Sequence, residues 1–238
     1  RDARGTGGGQ ELYTNSTLVL EPRTGAIEWY YQHVPAESHD MDEAFERILI
    51  DYDGKRSVFT MGKLGILWEL NRDNGQFVRA NDLGYQTLID VDSETGMVTY
   101  RDGMLSEVDE MIRFCPSTGG FKGLRAMAFH PLTQAFYIPL SLSCETAAFL
   151  ETGGVSDRTN YFHPESPDQL GEFRAMDMRT GRTLWSQRWR APYNTSALTT
   201  GGGLVFVGTW DRYALAYDAI TGAELWRVGR DEESNWST

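Results

Sequence analysis

Abundant glycine, a high share of aromatic residues and a short turn motif that recurs along the chain predict an all-β fold: a partial β-propeller of about four blades. Glycine accounts for 25 of the 238 residues and aromatics for 12%. Glycine serves tight turns, and aromatic side chains suit the half-buried faces of short strands.

The motif is an acidic or polar residue, two spacers, Thr-Gly, and then a large aromatic. Its first copy runs from Glu21-Pro22-Arg23-Thr24-Gly25 to Trp29. Looser copies follow, Asn71 to Gly75 with Phe77, and Asp92 to Gly96 with Tyr100. The cleanest are Asp177-Met178-Arg179-Thr180-Gly181 to Trp185 and Asp218-Ala219-Ile220-Thr221-Gly222 to Trp226. The pattern predicts a β-hairpin. The acidic side chain bonds backbone N–H groups of the turn, and glycine supplies the positive φ. The aromatic on the following strand has area to bury between sheets.

From position 177 to position 218 is 41 residues, the length of a four-stranded blade. Its strands are expected at Thr195–Thr200, Leu204–Gly208, Tyr213–Tyr217 and Ala223–Val228. Residues 144–172, with Gly153-Gly154, Pro164, Pro167 and several acids, read as a long surface insertion. Residues 101–114 carry Met104, Leu105, Val108, Met111 and Ile112, spaced for a helical turn or two. Gly7-Gly8-Gly9 and Gly201-Gly202-Gly203 read as loop and strand-entry glycines. Residues 1–238 thus form one partial propeller domain. A propeller removes its edge strands only by closing, so further propeller sequence or a second chain is expected.

Other features narrow the function. A net charge of −12 repels phosphate backbones and disfavours nucleic acid, while suiting a basic protein partner. No apolar run approaches the roughly 18 residues of a membrane span, and the first residues lack a signal-peptide core. No Cys-x-x-Cys-His, phosphate loop or dinucleotide fingerprint occurs. His33, His39, His130 and His163 show no metal-ligand spacing.

The Asp-x-x-Thr-Gly-x-x-x-Trp repeat resembles the tryptophan-docking motif of pyrroloquinoline quinone (PQQ)-dependent alcohol dehydrogenases, eight-bladed propellers of the bacterial periplasm. Further segments are similar to the second half of those quinoproteins, in the same order. They are Leu12–Leu18 with Trp29-Tyr30-Tyr31-Gln32-His33, His39–Glu46, Thr60–Trp68, Cys115-Pro116-Ser117 and Gly201–Gly208.

The resemblance implies a PQQ-dependent oxidation of an alcohol to an aldehyde or ketone, with electrons passed to a cytochrome c. Asp40 matches the general base, which takes the hydroxyl proton as hydride leaves carbon. Asp42 completes an Asp-x-Asp similar to that of lanthanide-using members, so Asp40 and Asp42 are the implied metal ligands, for calcium or alternatively a lanthanide. Lys63 falls where the family carries a cation at the quinone oxygens. Asn194, at a family Trp, and Thr195 beside it are the other implied cofactor contacts. Cys115 and Cys144 match a disulfide pair, which together with the family implies a periplasmic location. There are departures: His39 replaces the Trp before the base, Glu43 follows Asp42, and Gly123 stands where the family has a cofactor-bonding Asn. The family's remaining metal ligands, a Glu and an Asn, belong to blades upstream of Arg1. The same repeat occurs in non-catalytic propellers that act as envelope interaction scaffolds, the rival reading.

Overall fold

A computed structural model describes residues 11–105, 107–151 and 154–229; Gly7–Gly9, Gly153 and Asn235–Thr238 lie outside them. All regular structure among the described residues is β. In chain order the strands are β1 (Ser16–Leu20), β2 (Ile27–Gln32), β3 (Ile48–Tyr52), β4 (Lys55–Met61), β5 (Ile66–Asn71), β6 (Phe77–Asp82), β7 (Ile89–Val91), β8 (Val98–Tyr100) and β9 (Met111–Phe114). They continue with β10 (Ala128–His130), β11 (Ala135–Ser141), β12 (Ser143–Phe149), β13 (Val155–Phe162), β14 (Gly171–Asp177), β15 (Thr183–Trp189), β16 (Leu198–Thr199), β17 (Leu204–Gly208), β18 (Tyr213–Asp218) and β19 (Glu224–Gly229).

The chain divides into two compact units. The first comprises Arg1–Gly123 and Ser143–His163, the second Leu124–Leu142 and Pro164–Thr238. The first unit holds the four-stranded sheet β3-β4-β5-β6, the pairs β1-β2 and β7-β8, and the three-stranded sheet β13-β12-β9. Its core gathers Val34, Met41, Leu64, Ile66, Trp68, Leu88, Ile89 and Phe114. The second unit holds two four-stranded sheets, β10-β11-β14-β15 and β16-β17-β18-β19, around Tyr137, Phe173, Tyr193, Val205, Leu215 and Tyr217. Every pairing is antiparallel, and each four-stranded sheet has the neighbour-to-neighbour order of a propeller blade.

The turn motif folds as its chemistry requires. Asp218 Oδ1 accepts from Ile220 N (3.0 Å), Thr221 N (2.7 Å) and the Thr221 hydroxyl (2.9 Å), and Gly222 sits at φ +70°. Asp177 and Asp92 build the same net with Thr180 and Thr95, and Glu21 does so with Arg23 N and Thr24 N. The glycine also has a second job. The Trp29 indole lies where a side chain on Gly75 would be, Phe77 covers Gly96 in the same way, and Trp185 covers Gly222. Each aromatic thus docks on the turn glycine of the next repeat, so the glycine is required both for its φ and for its missing Cβ.

Two sequence expectations are corrected. Residues 144–172 are not a surface loop. β12 and β13 pair along their lengths, and β12 also pairs with β9. Cys144, Glu145 and Ala147 are fully buried, so this stretch has a core-facing side that its small residues conceal. It remains an insertion in one sense, because β11 pairs directly with β14 across it. Among the described residues of 101–114 there is no helix. Their apolar spacing belongs to turns and to β9, in which Ile112 and Phe114 point inward. The last blade matches expectation except that its first strand shortens to Leu198–Thr199.

Candidate functional site

Asp40 and Asp42 lie on the irregular segment between β2 and β3, and Lys63 lies on the tight turn between β4 and β5. The turn is closed by Gly65 N to Gly62 O (3.1 Å), with Gly65 at φ +71°. Main-chain bonds join the two segments. Lys63 N donates to Asp42 O (2.9 Å), and Phe121 N donates to Lys63 O (2.8 Å). The three functional groups converge as a result. Lys63 Nζ is 2.7 Å from Asp42 Oδ2, 3.1 Å from Asp40 Oδ2 and 2.7 Å from the Asp40 carbonyl. The lysine side chain is 11% exposed, and the two aspartates are 53% and 47% exposed. The ammonium is thus held from below while both carboxylates stay open to solvent. Asp40 sits at φ +64°, in the left-handed region that a non-glycine residue rarely adopts.

Close packing fixes this arrangement. A Cβ on Gly62 would overlap the Asp42 carbonyl and the Glu43 carboxyl, and one on Gly120 would overlap the Lys63 stem. Glu43 is fully buried and accepts from Trp68 Nε1 at 3.2 Å. Burial pushes its carboxyl up to about 8, against the opposing pull of the Leu64 N–H, Lys122 and Arg47. Lys122, also fully buried, donates to Glu46 Oε2 (2.9 Å) and to Met61 O (3.1 Å). His39, at the place of the family Trp, is buried against Phe149, Phe114 and Tyr100, with centroids 4.9, 5.8 and 6.1 Å away.

Cys115 and Cys144 form a disulfide. His163 lies beside it, with a ring nitrogen within 4.8 Å of both sulfurs. The sulfurs are bonded to each other and so offer no thiolate to a metal.

Asn194 and Thr195 belong to the second unit, between β15 and β16. Asn194 N bonds Gly208 O (2.8 Å), and its side-chain oxygen accepts from Arg125 Nη1 (3.0 Å). The Thr195 hydroxyl accepts from Gly208 N on β17 (2.7 Å) and donates to Ser196 O (3.1 Å). The sequence marks Glu43 only as a departure beside Asp42 and does not single out Lys122 or Arg125. Each is an ordinary charged residue in its local window, and only folding buries it.

The donor set at Asp40 and Asp42 is hard carboxylate oxygen, the chemistry that calcium and trivalent lanthanide ions take. Both oxygens already point at one cation, the Lys63 ammonium. The residues present therefore fit a cation-dependent site.

Residues 2–80 match the family described as glucose/ethanol/alcohol dehydrogenase, beta-propeller domain. Residues 169–235 match outer membrane protein assembly factor BamB. A quinoprotein ethanol dehydrogenase of Pseudomonas aeruginosa is 30% identical over 237 residues, covering 91% of this chain and 38% of the relative. Lupanine 17-hydroxylase (cytochrome c) of a Pseudomonas species is 29% identical over 229 residues, covering 92% of this chain and 33% of the relative. The solved structure of a europium-containing methanol dehydrogenase superposes with a TM-score of 0.89 at 26% identity, over 96% of this chain and 42% of that one. The chain therefore spans between 33% and 42% of these three proteins. On the strength of its blades, its docking repeats and these relatives, the chain belongs to the PQQ-dependent (quinoprotein) alcohol dehydrogenase family, of whose members it spans well under half.

Proposed function

We propose that this chain carries the proton-accepting part of a PQQ-dependent enzyme that oxidises an alcohol to an aldehyde or ketone. The observation that carries the reading is the convergence of the Asp40 and Asp42 carboxylates on Lys63 Nζ. When bound, the quinone accepts hydride and the cation polarises it. Asp40 takes the hydroxyl proton, and its half-exposed carboxylate is open to a substrate. Asp40 and Asp42 would hold the cation. Lys63 would face the quinone oxygens as a point charge, since lysine lacks the bidentate fork of arginine. The resemblance assigns Asn194 and Thr195 to the quinone as well, Thr195 through its place in the loop.

Calcium is the cation proposed, with a lanthanide as the alternative that Asp42 favours. The europium-containing relative supports the alternative. Loss of lanthanide-dependent but not calcium-dependent activity in Asp42→Ala would decide for the lanthanide. A cytochrome c is the proposed electron acceptor, and the charge of −12 suits a basic partner. The disulfide suits the periplasm.

Asp40→Asn in the intact protein is expected to leave the near-UV circular dichroism unchanged and to abolish dye-linked alcohol oxidation. Retained activity would refute the assignment. The match of residues 169–235 to an outer membrane assembly factor favours a second reading, a non-catalytic scaffold. Failure of the folded protein to bind quinone with calcium or lanthanum present would decide for the scaffold.

A further inference from the structure

A cavity of about 520 Å³ opens on the second unit, lined by Leu170, Arg190, Ala191, Pro192, Trp210 and Asp211. That volume falls within the roughly 300–1,000 Å³ of small-molecule sites. The lining comes from three stretches: the entry to β14, the exit from β15 and the turn between β17 and β18. Main-chain bonds fix these to one another. Leu170 N donates to Arg190 O (3.3 Å), Trp210 N donates to Pro192 O (2.9 Å), and Tyr193 bridges Thr209. A Cβ on Gly171 would overlap the Ala191 carbonyl, so the entry to β14 and the exit from β15 touch directly. The cavity is therefore held open by the fold before any ligand arrives.

Its walls are apolar, and one charged group at it is left open. Leu170, Ala191 and Pro192 are half-buried, and the Trp210 ring beside them is exposed. An exposed indole next to apolar walls is an interaction surface. Asp211, the acid of the lining, is already engaged. Its carboxylate accepts from Trp189 Nε1 (3.0 and 3.2 Å) and from Arg190 Nε (2.7 Å). Arg190 spends Nε on that bond, which leaves Nη1 and Nη2 without a partner among the described residues, on a side chain 74% exposed. Asp211 thus steers the guanidinium without covering its outer end. That end can take a carboxylate through two parallel N–H···O bonds. The negative charge of Asp211 weakens the pull on an anion, so a small anion gains little here. An apolar body in the cavity supplies the rest through the area it removes from water.

We propose that this cavity binds a monocarboxylate with an apolar body, an aryl or alkyl acid. The body packs against Leu170, Pro192 and the Trp210 ring, and the carboxylate accepts from Arg190 Nη1 and Nη2. The site goes beyond the PQQ-dependent reading and does not rest on it. The test is calorimetric titration of the intact protein with 2-naphthoate and with the neutral 2-naphthamide. The wild type is expected to bind the acid about tenfold more tightly than the amide. Arg190→Gln should weaken the acid alone and bring the two affinities together. Trp210→Ala should weaken both by about tenfold or more, because acid and amide share the aromatic contact. Both side chains are exposed, so circular dichroism should show the variants folded. Arg190→Lys, which lacks the two-nitrogen end, and Trp210→Leu serve if either is not, with smaller losses of the same kind. A wild type that binds neither compound at millimolar concentration would overturn the proposal. So would an acid preference that survives the Arg190 variants, or binding that the Trp210 variants leave unchanged.

Discussion

The docking of an aromatic on the next turn glycine can be separated from the turn itself. Gly75 and Gly54 hold nearly the same backbone, φ +72° and +73°, in the first unit. An alanine at either position carries the left-handed penalty of about 1 kcal/mol. Nothing lies within 4 Å of a side chain at Gly54, whereas at Gly75 the methyl group meets the Trp29 ring. Moving that indole adds an overpacking cost of about 2 kcal/mol. Gly54→Ala is therefore expected to lose about 1 kcal/mol and Gly75→Ala about 3 kcal/mol, read from urea unfolding midpoints at constant m. In a Trp29→Leu background the extra loss at Gly75 should largely vanish, because the two residues share one contact. Equal losses at Gly54 and Gly75, or an extra loss that survives Trp29→Leu, would refute the docking argument.

Acid should weaken the first unit through His33. Burial pushes this imidazole down from 6.5 to about 3, with Arg47 nearby adding to the shift. It stays neutral when folded and takes a proton when unfolded. Its stabilising effect is complete above about pH 6.5 and declines as pH falls, by about 2 kcal/mol at pH 5; urea midpoints of His33→Gln should fall less steeply between pH 6.5 and 5. Replacing both Cys115 and Cys144 by serine frees a loop of 29 residues and should cost about 3–4 kcal/mol in the same assay, a loss that a reductant reproduces in the wild type. Arg79→Met leaves Glu69, 1% exposed, with the Tyr52 and Ser57 hydroxyls as its side-chain partners among the described residues. A loss of about 3–5 kcal/mol is expected, recovered in part by adding Glu69→Gln.

The hairpins were legible because their physics is local. Asp177, Thr180 and Gly181 make their bonds within five residues, and the pattern shows in any window that contains them. The strands β12 and β13 were not legible for the opposite reason. Cys144 and Ala147 are small, their partners on β9 lie some thirty residues upstream, and the flanking glycines, prolines and acids dominate the composition. The same divide runs through the charged groups within each unit. Asp40 and Lys63 are 23 residues apart, and nothing in their spacing brings them together; only the resemblance paired them. Arg125 and Asn194 are 69 apart, and no family pattern marks the arginine. A blade is a run of sequence neighbours, so its turns repeat visibly. A site made where several such runs end draws its groups from separate strands, and their meeting is set by register and packing. That is why Asp40 and Lys63 meet only in the folded chain, and why the Thr195 hydroxyl turns to Gly208 N and Ser196 O.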